Sequence, residues 1–314
     1  MKAFRATKSS TTTPSLTLQT VPIPKPNAQQ VLIRIKTSAV QPSDILNAKG
    51  EFPQTTFPRT LGRDFACVII DGPPHLLKKE VFGTSGASFS FTEDGAHAEY
   101  AIVPANGFCL KPPSLDWVQA ALVGVPCSTA LQIMERSGLK AGESILVLGG
   151  NGSVGSWVSW LAKARSRQVI TVGRHGADID STKDPKLEGV AALTNGKGVD
   201  VVVDTVGDVA LIRAATEQMI HSGRLVSIMA PRTGSTDVTF DLFSFYRREL
   251  SFLSCNTADY TQAYMTRLLN EKLLPLLKGN TENMPKVKAT EISLGQVAEA
   301  YDGSIRKAVI VCDA

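Results

Sequence analysis

A glycine-rich turn between residues 149 and 155 has the residue types and spacing that hold a diphosphate. Gly150, Gly152 and Gly155 fit the pattern G-x-G-x-x-G. The first glycine of such a turn permits a tight bend, the second lets the backbone approach a pyrophosphate, and the third lets a helix pack against a strand. Backbone N–H groups and the helix dipole favour an anion there. The turn predicts dinucleotide binding, and a purely steric bend is the alternative. Its candidate cofactor-binding residues are Gly150, Asn151, Gly152, Ser153, Val154 and Gly155.

The segments on either side of this turn predict a strand, a helix and a second strand. Residues 144–148 form a short apolar run, a helical pattern follows the turn as far as Arg165, and residues 169–172 are apolar again. A dinucleotide-binding unit places its glycines in this same order of elements. The context therefore favours the cofactor interpretation over the steric one.

The residues after the second of these strands decide between the two nicotinamide dinucleotides. Units that bind NAD place Asp or Glu there for the ribose 2′-hydroxyl, whereas a nearby Arg accommodates the 2′-phosphate of NADP. This chain has Gly173, Arg174 and His175 in sequence, and no carboxylate before Asp178. Because guanidinium pairs well with phosphate oxygens, the sequence predicts NADPH, with Arg174 as a ligand.

Two later apolar runs, at residues 198–204 and 223–229, are typical of strands buried in a parallel sheet. Ligands of open α/β sheets bind at the carboxyl ends of such strands. Further cofactor-binding candidates are therefore Val206, Gly207, Met229 and Ala230.

The overall pattern predicts an α/β protein with two domains of different kinds. At 314 residues the chain is long enough for both. Its first part has short strand-like runs separated by proline and glycine, which indicates a β-rich domain. From residue 116 onward strands alternate with helical patterns, which indicates a doubly wound parallel sheet.

Composition narrows the classes of partner. The formal net charge is only +4, and Lys and Arg are scattered, so we expect no nucleic-acid or membrane partner. No long apolar segment follows Met1, and we expect a soluble, cytoplasmic protein. The five cysteines are widely spaced without C-x-x-C, and the four histidines form no H-x-x-x-H pair. They read as buried thiols in a reducing compartment and offer no structural metal site.

Several blocks in order along the chain resemble the medium-chain dehydrogenase/reductase superfamily, specifically its zinc-free quinone oxidoreductase branch. The blocks lie at residues 40–44, 61–66, 95–100, 123–126, 149–155, 203–207 and 223–226. The resemblance implies a GroES-like β-rich catalytic domain at 1–118 and 278–314, with a Rossmann domain at 119–277. It also implies a homodimer formed through the aromatic stretch 240–254, for which a core strand of the cofactor domain is the alternative.

Zinc members of this superfamily hold their catalytic metal with a Cys, a His and a third Cys or Asp. At the matching positions this chain has Gln41, Arg63 and Val125, whereas Zn²⁺ needs thiolate, imidazole or carboxylate ligands. We therefore expect no metal. Without one, a phenolate-like oxygen with a pKa of about 10 is easier to stabilise than an alkoxide, by roughly 8 kcal/mol. We expect hydride transfer from the nicotinamide to a quinone or an α,β-unsaturated carbonyl.

The resemblance also implies two candidate catalytic residues. Gln41 occupies the position of an Asn, and its amide could donate to the acceptor oxygen, or it caps a turn. Asp44 matches an Asp in the same loop and orients the nicotinamide side or an adjacent donor, or Ser43 and Asp44 cap the following short helix. Leu46 stands where some relatives carry a proton-donating Tyr or Lys, so water is the expected proton source.

Two cofactor contacts are implied elsewhere in the chain. Thr129 matches a Thr that approaches the nicotinamide ribose or ring, and an ordinary helix-interior hydroxyl is the alternative. Lys307 corresponds to a basic residue that can reach the cofactor, and simple solvation is the alternative.

One departure from the superfamily concerns the end of the second cofactor-domain strand. Relatives have a full helix before the Gly-Ala-Asp that precedes their third strand, whereas here His175 leads directly to Gly176. A parallel crossover normally needs a dozen or more residues. We expect the third strand to be lost or displaced, or the sheet edge to be rebuilt, with a more open adenine pocket and weaker adenosine contacts.

Three functions remain open at this point. The leading one is an NADPH-dependent quinone or enone reductase. The second is an enoyl reductase acting on carrier-bound or biosynthetic intermediates, and the third is a redox-silent NADPH-binding sensor or structural protein.

Overall fold

The computed structural model describes residues 1–8, 14–164, 166, 168–278 and 283–312. The chain divides into two compact units. The first comprises Met1–Ser128, Thr257–Thr281 and Lys286–Ala314, and the second comprises Thr129–Asn256 and Glu282–Pro285. Residues 119–128 and 257–277 thus pack within the first unit, whereas the sequence places them in the cofactor domain; the functional domain bounds stay a prediction. The predicted helix end at Arg165 lies outside the described residues.

The strands of the described residues follow in chain order. They are β1 (Lys2–Thr7), β2 (Ser15–Thr20), β3 (Gln30–Ala39), β4 (Arg59–Thr60), β5 (Phe65–Asp71), β6 (Glu80–Gly83), β7 (Tyr100–Pro104), β8 (Cys109–Leu110), β9 (Ser144–Leu148), β10 (Gln168–Gly173), β11 (Ile179–Asp180), β12 (Val199–Asp204), β13 (Met219–Ser227), β14 (Ser251–Ser254), β15 (Thr290–Ile292) and β16 (Ala308–Val311). The helices are α1 (Pro42–Ala48), α2 (Trp117–Ser137), α3 (Ser153–Lys163), α4 (Gly189–Leu193), α5 (Val209–Glu217), α6 (Leu242–Arg247), α7 (Gln262–Leu268), α8 (Leu274–Leu277) and α9 (Val297–Tyr301).

The first unit is built around the long strand β3. It pairs antiparallel with β5 along most of its length, with β7 along its first half and with β16 at its end. A smaller sheet runs β2-β1-β4. Because β3 and β5 are rich in buried apolar side chains, Ile33, Ile35, Phe65 and Cys67 form one continuous core. This arrangement confirms the predicted β-rich fold.

The second unit contains a parallel sheet in the order β11-β10-β9-β12-β13-β14. All five residues of β9 are buried, and β12 and β13 are mostly buried as well. Strands buried on both faces read as near-continuous apolar runs, which is why they were recognisable in the sequence. The doubly wound sheet is confirmed.

The third strand of this sheet, for which the sequence leaves loss, displacement or a rebuilt edge open, is present but only two residues long. β11 pairs parallel with β10, with Val172 opposite Ile179 and Gly173 opposite Asp180. Five residues, 174–178, connect the two strands, and no helix intervenes. The sheet edge is thus rebuilt rather than lost.

Two prolines lie within helical segments, and in neither case does the helix end there. Pro126 lies inside α2, and Pro275 lies in the first turn of α8, where a missing N–H costs little. α8 follows directly on α7 through a wider turn, Leu269–Leu273. The strand β15, nearer the end of the chain, is short and covers only Thr290–Ile292.

α2 is the one helix of the described residues that is long and apolar enough to cross a membrane. However, 78% of its most apolar window is buried inside the protein. A core helix of a folded domain passes the same test of length and composition, so this helix is weak evidence for a membrane span.

Candidate functional site

The glycine turn joins β9 to α3 and has the backbone geometry that a bound diphosphate needs. Gly149 has a φ of 79°, a conformation that favours glycine. A Cβ on Gly155 would lie 2.2 Å from the Gly149 carbonyl oxygen, so glycine is required for α3 to pack this closely. A Cβ on Gly152 would meet only that same oxygen, at 3.1 Å. No side chain caps α3, so its first N–H groups can receive a phosphate. These residues fit a dinucleotide.

Asn151 ties the glycine turn to the short connection between β10 and β11. Its Nδ2 donates to the carbonyl oxygens of His175 and Gly176, each over 2.8 Å. The predicted cofactor residue Asn151 is therefore engaged with the protein through its side-chain amide. Its amide holds the connection 174–178 against the turn.

The same connection contains the residues that bear on the choice of dinucleotide. Arg174 is exposed. Asp178 Oδ2 accepts hydrogen bonds from the backbone N–H of Thr171, over 2.8 Å, and from its hydroxyl, over 2.7 Å. The first carboxylate after β10 is thus committed to Thr171, while the guanidinium of Arg174 faces solvent.

The four candidates after β12 and β13 are brought together by Asp204. Its Oδ1 accepts hydrogen bonds from the N–H groups of Val206 and Gly207, each over 3.0 Å. Its Oδ2 accepts one from Ser227 Oγ over 2.8 Å. A Cβ on Gly207, whose φ is 71°, would lie 2.9 Å from the backbone of Ala230. The two loops, which also include Met229, therefore lie side by side at the carboxyl edge of the sheet.

Thr129 and Lys307 fall in different units. Thr129 is buried within α2 at the start of the second unit. Lys307 is exposed in the first unit, with a φ of 53°, and its carbonyl oxygen accepts a hydrogen bond from Thr290 N–H. Their roles toward a cofactor remain predictions.

The first unit contains a buried polar cluster at the start of α1 and β5, which we call the Arg63 cluster: Gln41, Ser43, Asp44, Arg63, Asp64 and Ser85. Gln41 Nε2 donates to Asp64 Oδ2 over 2.9 Å. The backbone N–H of Gln41 donates to Asp44 Oδ2 over 2.8 Å, so Asp44 does cap α1. One N–H of the Gln41 amide is thereby occupied, and the amide group carries a second one.

Arg63 is held in this cluster by hydroxyl groups. Its Nε donates to Ser85 Oγ over 2.7 Å and its Nη1 to Ser43 Oγ over 3.0 Å. The guanidinium also lies over the Phe91 ring, 5.2 Å from its centroid. Ser43 itself is half-buried on α1, so the guanidinium is hydrogen-bonded to a residue that is partly exposed to solvent.

Asp64 carries more hydrogen bonds than Asp44. Its Oδ1 accepts from Thr84 Oγ1 over 2.6 Å and from Val125 N–H over 2.8 Å. A Cβ on Gly124 would lie 2.1 Å from this oxygen, so glycine lets α2 approach the carboxylate. By contrast, Asp44 Oδ1 is buried and has no hydrogen-bond partner among the described residues.

Burial dominates the protonation of both carboxyls. It raises the pKa of Asp44 to about 7, against the opposing charge of Arg63. Burial also raises the pKa of Asp64 to about 6, against its hydrogen bonds and the charge of Arg63. Burial lowers the pKa of Arg63, and the two carboxylates oppose that shift; arginine still keeps its proton in proteins. Of the two carboxyls, Asp44, which has fewer hydrogen bonds, is therefore the one that takes up a proton more readily as pH falls toward neutrality.

The side chains at the three zinc-ligand positions do not fit a catalytic zinc. Gln41 and Arg63 are committed to the hydrogen bonds given above, and Val125 contributes its backbone N–H rather than a ligand. Zinc sites use thiolate, imidazole or carboxylate groups. Within the described ranges no three His, Cys, Asp or Glu residues group as metal ligands.

Sequence reasoning named Gln41 and Asp44 but not the residues that hold them. The sequence marks Arg63 only as a residue that cannot bind zinc and Ser43 only as a possible helix cap, and it assigns no role to Asp64 or Ser85. A signal was available, because the charged pair Arg63-Asp64 directly precedes a continuous apolar strand. Charged residues at such a place must be paired or hydrogen-bonded when buried.

Comparison with known proteins agrees with this arrangement of two units. Residues 27–114 match the family described as the alcohol dehydrogenase GroES-like domain, and residues 154–271 match the zinc-binding dehydrogenase family. A zinc-type alcohol dehydrogenase-like protein of Schizosaccharomyces pombe is 41% identical over 278 residues, 88% of this chain and 85% of that protein. The chain belongs to the medium-chain dehydrogenase/reductase superfamily. It is an oxidoreductase of that superfamily, whose members bind nicotinamide cofactors.

Two further relatives bear on the branch and the fold. A quinone oxidoreductase of Homo sapiens is 28% identical over 230 residues, 66% of this chain and 66% of that protein. A solved zinc-binding dehydrogenase from Sinorhizobium meliloti, bound to NADP, superposes with a TM-score of 0.79 at 20% identity and covers 99% of both chains. The second likeness concerns the fold alone.

Proposed function

We propose that this protein is an NADPH-dependent reductase that transfers hydride to a quinone or an α,β-unsaturated carbonyl without zinc. The observation that carries the proposal is the Arg63 cluster, in which an amide, a guanidinium and a backbone N–H stand where a zinc enzyme has metal ligands. Such a site offers hydrogen-bond donors and one fixed positive charge. These suit an acceptor whose reduced oxygen is a phenolate or an enolate rather than an alkoxide. The human relative named quinone oxidoreductase supports this choice.

NADPH is the cofactor that the second unit suits best. Oδ2 of Asp178, the first carboxylate after β10, is occupied by Thr171, so only Oδ1 of this residue is left for a ribose 2′-hydroxyl. Arg174 is exposed and can pair with a 2′-phosphate. The NADP bound to the Sinorhizobium meliloti relative supports the same assignment.

The chain's own residues divide the work of binding. The glycine turn would hold the diphosphate through backbone N–H groups, and Arg174 would hold the 2′-phosphate. Val206, Gly207, Met229 and Ala230 would line the sheet edge along the dinucleotide, with Thr129 and Lys307 as further contacts. When bound, the cofactor would supply a hydride from its nicotinamide ring. Gln41 keeps one amide N–H for the acceptor oxygen, and water supplies the proton.

The proposal is tested by following NADPH oxidation with quinones, enones and 2-enoyl thioesters, with and without a chelator, and with NADH in parallel. We expect turnover of quinones or enones with NADPH, unchanged by the chelator. Turnover that needs added zinc, or oxidation of simple alcohols, would contradict the proposal. Reduction of enoyl thioesters alone would identify an enoyl reductase, and NADPH binding without turnover would identify a sensor.

We also propose a homodimer formed through α6 and β14. β14 is the edge strand of the parallel sheet, so its backbone groups can pair with another strand. Next to it, Leu242, Phe243, Tyr246 and Phe252 are 74%, 66%, 56% and 45% exposed. An apolar patch beside an open sheet edge marks an interaction site.

A cytoplasmic location fits the five cysteines, which are all free thiols.

A further inference from the structure

The charged side chain of Arg63 is almost fully removed from water, since the residue is only 3% exposed. Burying a guanidinium costs free energy unless other groups compensate for the lost hydration. Its hydrogen bonds go to the neutral hydroxyls of Ser43 and Ser85. A charge held by hydroxyls polarises them, whereas a charge held by carboxylates is cancelled at once.

Two carboxyls, Asp44 and Asp64, interact electrostatically with this cation. Asp64 accepts hydrogen bonds from Thr84, Val125 and Gln41, and bonds to the ionised form of a carboxylate favour that form. Asp44 has a buried Oδ1 without a partner, which favours its neutral form. Arg63 and Asp64 together then carry a net charge close to zero. The positive charge of this pair lies at the guanidinium, beside the hydroxyl groups of Ser43 and Ser85.

Ser43 is the place where this positive end reaches solvent. Ser85 is 1% exposed, whereas Ser43 is half-buried on α1. Ser43 Oγ accepts the hydrogen bond from Arg63 Nη1, so its own hydroxyl hydrogen is left to donate elsewhere. A hydroxyl that accepts from a cation is a stronger donor than an isolated one.

We propose that Arg63 supplies the fixed positive charge that zinc supplies in metal-containing relatives, and that it acts on the substrate oxygen through the Ser43 hydroxyl. Ser43 is then a catalytic residue and Arg63 a positioning residue. The inference rests on the proposed function, since it concerns the oxygen that a quinone or enone presents to the site.

The step can be written with its atoms and electrons. The acceptor would gain the hydride that NADPH supplies, so the acceptor is reduced and the nicotinamide is oxidised to NADP⁺, while an electron pair of the acceptor's conjugated system moves onto the carbonyl oxygen. That oxygen becomes negative and accepts the hydrogen bond from Ser43 Oγ, which itself accepts one from Arg63. A water molecule then gives a proton to the oxygen and leaves as hydroxide, and the Ser43 hydroxyl is unchanged at the end. A preorganised donor of this kind is worth about 10²–10³-fold in rate.

The first experiment uses 4-nitrophenol as a probe of the oxyanion site and does not depend on turnover. The full-length protein is titrated with 4-nitrophenol over pH in the presence of NADP⁺, and the bound phenolate is followed by its absorbance. We expect the bound phenol to have a pKa lowered by about one unit, an effect lost in Ser43→Ala and in Arg63→Met and partly restored in Arg63→Lys. Ser15→Ala, an exposed hydroxyl on β2, is the control.

The second experiment measures kcat and KM for a quinone with NADPH in the same variants. Ser43→Ala is expected to lower kcat about 10²-fold and to leave the KM for NADPH unchanged. Circular dichroism monitors folding, and Ser43→Ala carries the test if the Arg63 variants unfold.

The outcomes separate this inference from the proposed function. Normal quinone turnover in Ser43→Ala, together with an unshifted phenol pKa in the wild type, overturns the inference and leaves the reductase in place. A lowered phenol pKa that depends on Ser43 and Arg63, in a protein without quinone or enone turnover, supports the oxyanion site and overturns the reductase. Retention of the lowered pKa in both variants also overturns the inference.

Discussion

The Tyr301 hydroxyl lies 2.9 Å from Nδ1 of His97, and both side chains are buried in the first unit. On the other side of the ring, Nε2 lies 3.2 Å from the carbonyl oxygen of Ala39. A carbonyl can only accept, so Nε2 carries the hydrogen and Nδ1 accepts from Tyr301. Burial lowers the pKa of His97 to about 4, which keeps the ring neutral. This pair joins α9 to the strands of the first unit.

Tyr301→Phe should destabilise the protein, because it leaves Nδ1 of His97 buried without a donor. We expect a loss of about 1–3 kcal/mol in the free energy of unfolding, measured by urea denaturation. Tyr100→Phe, at a half-buried tyrosine of β7, is the matched control and should change stability by less than about 0.5 kcal/mol. Equal stability of the two variants would show that the hydrogen bond contributes nothing.

Asp44 should make the folded state less stable as pH rises. Its folded pKa of about 7 lies above the model-peptide value of 3.8, so the folded state binds this proton more tightly than the unfolded state does. Its contribution is therefore complete below pH about 4 and is lost as pH rises toward about 7. Asp44→Asn cannot lose that proton. Its stability relative to the wild type should increase over this range, by on the order of a few kcal/mol.

The difference between the two proteins is the quantity to measure, because His97 titrates in the opposite sense. Its lowered pKa stabilises the folded state above pH about 6.5, and this contribution is lost as pH falls toward about 4. His97 is present in both proteins and cancels in the difference. A difference that stays constant from pH 4 to pH 8 would contradict the assignment of the proton to Asp44.

Arg174→Ala should weaken NADPH and leave NADH unaffected. A guanidinium–phosphate contact is charge-assisted, so we expect the Kd for NADPH to rise about tenfold, which corresponds to about 1.4 kcal/mol. The measurement is a fluorescence titration with each dinucleotide. Arg213→Ala, another exposed arginine of the second unit, serves as the control. Loss of affinity for both dinucleotides alike would mean that Arg174 does not read the 2′-phosphate.

Phe252→Lys should convert the proposed homodimer into a monomer. A lysine on an edge strand opposes pairing with a second strand, and Phe252 lies on β14 at the edge of the sheet. Sedimentation or light scattering gives the mass in solution. Leu193→Lys, at a similarly exposed apolar residue of α4, should leave the mass unchanged. A monomeric wild type would end this proposal.

The sequence predicted the parallel sheet well because its strands are buried on both faces and so appear as apolar runs. The glycine turn was equally clear, since its steric requirements restrict the residue type at Gly149 and Gly155. A proline such as Pro126 ordinarily indicates the end or a kink of a helix, whereas here α2 continues through it; tertiary packing, which a local pattern does not show, holds that helix together. The Arg63 cluster was recognisable only in part, because its hydrogen bonds join α1, β5 and α2, which are far apart in the chain.

The amide of Asn151 gives the shortened connection after β10 a mechanical role. This amide donates hydrogen bonds to the carbonyl oxygens of His175 and Gly176. These bonds connect the glycine turn, which is proposed to receive the diphosphate, to the edge strand β11 a few residues further along the chain. A ligand that makes the glycine turn more rigid should therefore also make β11 more rigid. We expect binding of a dinucleotide to slow the exchange of the Ile179 and Asp180 amide hydrogens with deuterated solvent.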